Sequence, residues 1–148
     1  MTAKEAKEYL SQYQYAAKRV EAIRMHLDDL RAIAAKITPN YSSEGGGSHA
    51  CSDKLGLAVA KIVDAERETD REVRKLIQTQ REIETAINRV PEPYSTLLYG
   101  RYINLCTWER LAVQMNYSSK QIRRLHGYAL VCIADILEKM SLNVHIEM

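Results

Sequence analysis

Apolar side chains recur through residues 2–37 at Tyr9, Tyr13, Ala16, Val20, Ile23, Leu27, Leu30, Ala34 and Ile37, in steps that alternate four and three. That is a heptad seam, the narrow stripe by which one α-helix zips against another. Thr2 with Glu5 three residues on predicts a capping box, where each side chain satisfies the other residue's free backbone N–H. Thr38-Pro39 predicts the end of this helix, because a residue before proline avoids the α region. A second seam runs through residues 53–90 at Leu55, Val59, Ile62, Glu66, Thr69, Val73, Leu76, Gln80, Ile83, Ile87 and Val90. Glu66 and Gln80 place polar groups in it, which fix register at a cost in stability. Between the seams, Ser42-Ser-Glu-Gly-Gly-Gly-Ser48 predicts a flexible linker over residues 38–52. Two seams joined by a loop predict an antiparallel helical hairpin, although the same stripes are able to zip against a second chain.

Beyond residue 90 the elements shorten. Pro91-Glu-Pro93 breaks the second helix, and Pro93 suits the first position of a third that runs to about Ile103, with Leu97, Leu98 and Tyr102 inward. Thr107 is the expected N-cap of a fourth helix ending at Met115. Asn116 stands where a left-handed turn residue is wanted, and Ser118 with Gln121 forms a second capping-box signature opening a fifth helix to about Met140. No strand pattern is present. The expected fold is all-α: a long N-terminal helical hairpin or coiled coil over residues 1–90, with its loop at 38–52, followed by a C-terminal three-helix helix-turn-helix domain over residues 91–148.

Charge sharpens this picture only locally. The net charge of +2 is too small to argue for nucleic acid by itself. Between Glu109 and Asp135, however, there is no acid, while Arg110, Lys120, Arg123 and Arg124 stand alone. A local basic face is better evidence of phosphate contact than overall pI. The three cysteines, Cys51, Cys106 and Cys132, are odd in number and widely spaced, so no disulfide framework is implied and a cytoplasmic location is expected. No apolar run approaches the roughly 20 residues a membrane helix needs. His49 and Cys51 lack the further ligands a structural zinc demands. The triple glycine lacks the Gly-Lys-Ser/Thr ending of a phosphate loop. No metal site, cofactor or catalytic constellation is expected, and the chain reads as a non-enzyme.

Within Thr107–His126 the spacing is that of a helix-turn-helix. Leu111 and the small Ala112 lie inside the first helix, Met115 and Tyr117 bracket the turn, and Ile122 and Leu125 anchor the second helix. Ser119, Lys120, Gln121, Arg123 and Arg124 then project outward from its N-terminal part, the part such folds place in the major groove. Arg pairs with guanine and Gln with adenine, so Gln121 and Arg124 are the expected base readers. Lys120 and Arg123 are expected on phosphate, with Thr107, Ser118, Ser119 and His126 as further DNA-contacting candidates. An ordinary solvated cationic face is the plain alternative.

Leu98-Tyr-Gly-Arg-Tyr102, Thr107-Trp-Glu-Arg-Leu-Ala112, Met115-Asn-Tyr-Ser118 and Arg124-Leu-His-Gly-Tyr-Ala-Leu130 resemble the sigma-factor region-four-like proteins of Gram-positive phages and prophages, among them ArpU-like and RinA-like late transcriptional regulators. The resemblance spans roughly residues 55–135. It implies sequence-specific binding of double-stranded DNA, control of phage late genes, and RNA polymerase as a further partner. Two apolar stripes on the fifth helix, Ile122–Leu125–Ala129–Cys132–Ile136 and Leu130–Ile133–Leu137, require cover on two sides: one from the third and fourth helices, the other from either the coiled coil or a second chain, of which a homodimer is favoured. Two other readings stay open: a phage DNA-packaging recognition subunit resembling a small terminase, and a coiled-coil interaction protein that does not bind DNA.

Overall fold

The computed structural model describes residues 1–41 and 48–146, with side chains over 1–37 and 53–142. Among the described residues the chain is all-helical. In order come α1 (Ala3–Tyr41), α2 (Ser48–Ile87), α3 (Tyr94–Leu98), which runs on into a π-helical turn (Tyr99–Ile103), α4 (Trp108–Met115) and α5 (Ser119–Ile146).

The predicted start of α1 is made as expected. The Glu5 N–H donates to Thr2 Oγ1 at 3.2 Å, and the Thr2 N–H donates to Glu5 Oε2 at 2.7 Å. Its predicted end is corrected, because α1 continues through Pro39 to Tyr41 and α2 begins at Ser48. Proline removes one N–H from the ladder, and a helix this long carries that loss. What is left of the predicted loop, residues 42–47, lies outside the described residues, as do the side chains of His49 and Cys51. α5 also outruns its expected end at Met140.

Contacts divide the chain into two units, residues 17–76 and residues 1–16 with 77–148. In the first, Arg19 Nε lies 3.4 Å from Glu72 Oε2 and Arg31 Nη2 lies 3.2 Å from Glu66 Oε1. The partner number falls as the α1 number rises, so these parts of α1 and α2 run antiparallel. Leu27 and Ala65 are buried, and Val20, Ile23, Leu30, Ala34, Leu55, Ile62, Thr69, Val73 and Leu76 are half-buried. The α2 seam differs from the predicted one at two places. Val59 and Glu66 are exposed, and the adjacent Ala58 and Ala65 turn inward instead. Burying the Glu66 carboxylate would cost its hydration. Set one residue round the helix, it stays in water and reaches Arg31. The Thr69 hydroxyl within the seam is satisfied by the Ala65 carbonyl at 2.8 Å.

In the second unit one core joins five elements. Ala6 and Leu10 of α1 are fully buried with Ile83, Ala86 and Ile87 of α2, Leu97 and Leu98 of α3, Leu111 of α4, and Ile122, Ala129 and Ile133 of α5. Ala6 and Leu10 fall outside the predicted seam. They form a second stripe with Ala3, beside the seam residues Tyr9 and Tyr13. Both predicted stripes of α5 are buried or half-buried inside this unit. The first turn of α1 lies against α5, where the Met1 amino group pairs with Glu138. Of the two covers expected for the second side of α5, the N-terminal helix supplies one.

Gly100, in the π-turn, is buried, and a Cβ there would lie 2.7 Å from Leu111 Cδ1. Leu111 is itself only 2% exposed, and its methyl group must shift to admit the new carbon. Gly100→Ala is therefore expected to destabilise the chain by about 1–3 kcal/mol through overpacking. Urea denaturation checks this, and an unchanged midpoint would contradict the close approach of the π-turn to α4.

Candidate nucleic-acid interface

The segment from Thr107 to His126 is built from local rules that agree with one another. Thr107 is extended (φ −67°, ψ 157°), and its hydroxyl accepts from the Arg110 N–H at 3.2 Å, satisfying an orphan donor at the start of α4. Leu111 and Ala112 face the core. α4 ends at Asn116, which is left-handed with φ 58° and ψ 40°. The Tyr117 N–H donates to the Ala112 carbonyl at 2.9 Å and the Asn116 N–H to that of Val113 at 3.3 Å. This is a Schellman stop with Asn in the place usually held by glycine. One residue later the second capping box opens α5: the Gln121 N–H donates to Ser118 Oγ at 3.2 Å and the Ser118 N–H to Gln121 Oε1 at 3.0 Å.

This short turn fixes how α5 is rotated. Ile122 is fully buried and Leu125 half-buried, and Ser119, Lys120, Gln121, Arg123 and Arg124 are all exposed. At about 100° per residue, Lys120 and Arg124 straddle the crest opposite Ile122, with Gln121 and Arg123 on its two flanks. Thr107 and Ser118 are exposed at the two helix starts. Among the described residues, no carboxylate pairs with Lys120, Arg123 or Arg124. In the hairpin, among the described residues, Arg19, Arg24 and Arg31 have acidic partners, whereas Arg67, Arg71 and Arg74 do not. The capping box occupies the Gln121 carbonyl, so a two-point contact from Gln121 to adenine requires that bond to break. Arg124 has no such commitment.

His126 is not brought together with these residues. Its ring is half-buried on the inner flank of α5, with Nε2 2.7 Å from Tyr102 Oη and its centroid 4.6 Å from that of Trp108, edge to face. Burial, and then the nearby charges of Lys7 and Arg101, push its pKa down to about 4. Burial pushes Tyr102 up to about 12. Both groups are thus held neutral at physiological pH.

Arg101 completes this cluster. Its guanidinium carbon lies 4.3 Å from the centroid of the Trp108 ring, and Nη1 donates to the Cys106 carbonyl at 2.9 Å. Trp108 is half-buried with one face given to Arg101. Sequence reasoning did not single out Lys7 or Arg101. Lys7 sits among Lys4, Glu5 and Glu8 and Arg101 among apolar neighbours, and neither pattern reveals that α1 and the π-turn meet.

Beside Gly127 a Cβ would meet nothing within 4 Å, so no close approach requires the glycine there. Among the described residues, no group of three His, Cys, Asp or Glu side chains is placed to hold a metal ion. Among the same residues, no helix is long and apolar enough to cross a membrane. No family model, curated protein or solved structure matches this chain.

Proposed function

We propose that this chain is a sequence-specific DNA-binding transcriptional regulator of the region-four-like phage and prophage type, acting on late genes, with α4 and α5 as its helix-turn-helix. The observation that carries the reading is the uncompensated cationic crest of Lys120, Arg123 and Arg124 on the first turns of α5. A Schellman stop and a capping box hold that crest outward. Unpaired, exposed cations on a rigid helix start are the groups that release counterions on meeting phosphates, and such a helix start is the part that enters the major groove. Arg124 reads a base, Lys120 and Arg123 hold phosphates, and Gln121 contributes only where its cap opens.

The region-four-like assignment adds RNA polymerase as a partner. A homodimer would place two such helices on half-sites about one helical turn apart. The hairpin segment exposes Met25, Ile33 and Leu57, which suit pairing with another copy.

Selection of bound sequences from a random duplex library tests the reading. The parent is expected to enrich one motif. Arg124→Ala is expected to flatten one position of it by about 1–3 kcal/mol. Lys120→Ala is expected to weaken all sequences alike. If neither substitution alters affinity or motif, α5 is not the reader.

A further inference from the structure

A second cationic feature lies on the same unit, away from the α5 crest. A hollow of about 270 Å³ is lined by Lys7, Ser11, Gln14, Arg101, Tyr102 and Trp108. No acidic residue lines it. One water's share of liquid is about 30 Å³, so the hollow has room for a phosphate group and its bridging waters. Lys7 is exposed, and no carboxylate pairs with it among the described residues. Arg101 is held from two sides, by its bond to the Cys106 carbonyl and by the Trp108 ring. That leaves the rest of its N–H fork for an acceptor. Leu105, at the mouth, sits in the left-handed region at φ 55°.

We propose that this notch seats a backbone phosphate of bound DNA between Lys7 and Arg101, so that the first turns of α1 are part of the DNA-binding surface; the proposal rests on the DNA-binding reading of α5. The chemistry favours an anion with several oxygens. A fixed guanidinium offers a planar fork that matches phosphate, and the lysine adds a mobile point charge. Position favours the duplex as the source of that phosphate. Arg123 precedes His126 by three residues and so shares its flank of α5. His126 in turn touches Trp108 at the back of the notch. The notch therefore opens on the Arg123 flank of α5, so a duplex lying on the crest brings a backbone phosphate to that side.

Lys7→Gln removes a charge whose side chain has no bond to lose, and equal urea midpoints will confirm that folding is spared. In the full chain, duplex affinity at 0.1 M salt is expected to fall about tenfold for every sequence, and the slope of log K against log salt to decrease by about one. If Lys7→Gln keeps the parent's affinity and slope while Arg124→Ala still flattens the motif, the notch is refuted and the α5 reading stands. If the parent binds no duplex even at low salt, both fall. Trp108 is the single tryptophan and reports on the notch directly. Its emission is expected to respond to duplex but not to saturate with inorganic phosphate at matched ionic strength. Saturation by inorganic phosphate that duplex does not reverse would make free phosphate the occupant and overturn the proposal.

Discussion

Leu10→Ala is expected to lower the unfolding free energy by about 2–5 kcal/mol, the range for deleting a fully buried leucine side chain. Leu10 has no exposed surface, and it belongs to the core built mainly from residues 77–148. The truncation leaves a void among Ile83, Ile87 and their neighbours, which are anchored on other helices and relax only in part. Tyr15, on the same helix, is 68% exposed, so Tyr15→Ala is expected to change stability by no more than about 0.5 kcal/mol. Chemical denaturation of the two variants separates the possibilities. A large loss for Leu10→Ala, with little for Tyr15→Ala, means that α1 begins as part of the C-terminal core. Equal small effects would mean that residues 1–16 are dispensable to it.

Stability is expected to fall as the pH drops from about 6.5 towards 4, and His126 is the cause. Its pKa in the folded chain is about 4, against an ordinary value of 6.5 for the free side chain. Between those values the unfolded chain binds a proton that the folded one refuses, so unfolding is favoured by acid. The contribution is fully present above about 6.5 and is lost as the pH falls through the window. Each pKa unit corresponds to about 1.4 kcal/mol. After discounting for the ring's partial exposure to solvent, the change is on the order of 2 kcal/mol. His126→Gln keeps a polar partner for Tyr102 but has nothing to titrate, so its stability should be flatter across this range. A histidine variant and parent with parallel pH profiles would show that the ring is solvated rather than enclosed.

How much of this was legible in the residues depended on the range of the interaction. Four caps and turns were read correctly because their signals are local, Thr2 with Glu5, Thr107, Asn116, and Ser118 with Gln121 each acting within four residues, whereas the Thr38-Pro39 stop was overridden by the long helix around it. The two long helices followed from periodicity. Rotation about a helix axis was harder. On α2, Val59 and Ala58 are adjacent, and a stripe drawn by hydropathy chose the larger side chain where packing chose the smaller. Tertiary neighbours were not legible at all. Ala6 and Leu10 lie beside a good heptad seam, and nothing local says that they meet α5 rather than the rest of the hairpin. For the same reason His126 looked like part of a cationic face, although its flank turns it toward Tyr102 and Trp108. Gly100 was noticed only as part of a resemblance. Its physical reason, the Leu111 methyl group, comes from another helix.

The central claim is that the first turns of α5 meet DNA. A titration of the isotopically labelled full chain with a random-sequence duplex, followed by amide and side-chain NMR, tests it most directly. Shifts should concentrate at Ser119, Lys120, Arg123 and Arg124, shrink as salt rises, and spare the hairpin residues 17–76. Spectra that stay unmoved at low salt, or that move only in the hairpin, would contradict it.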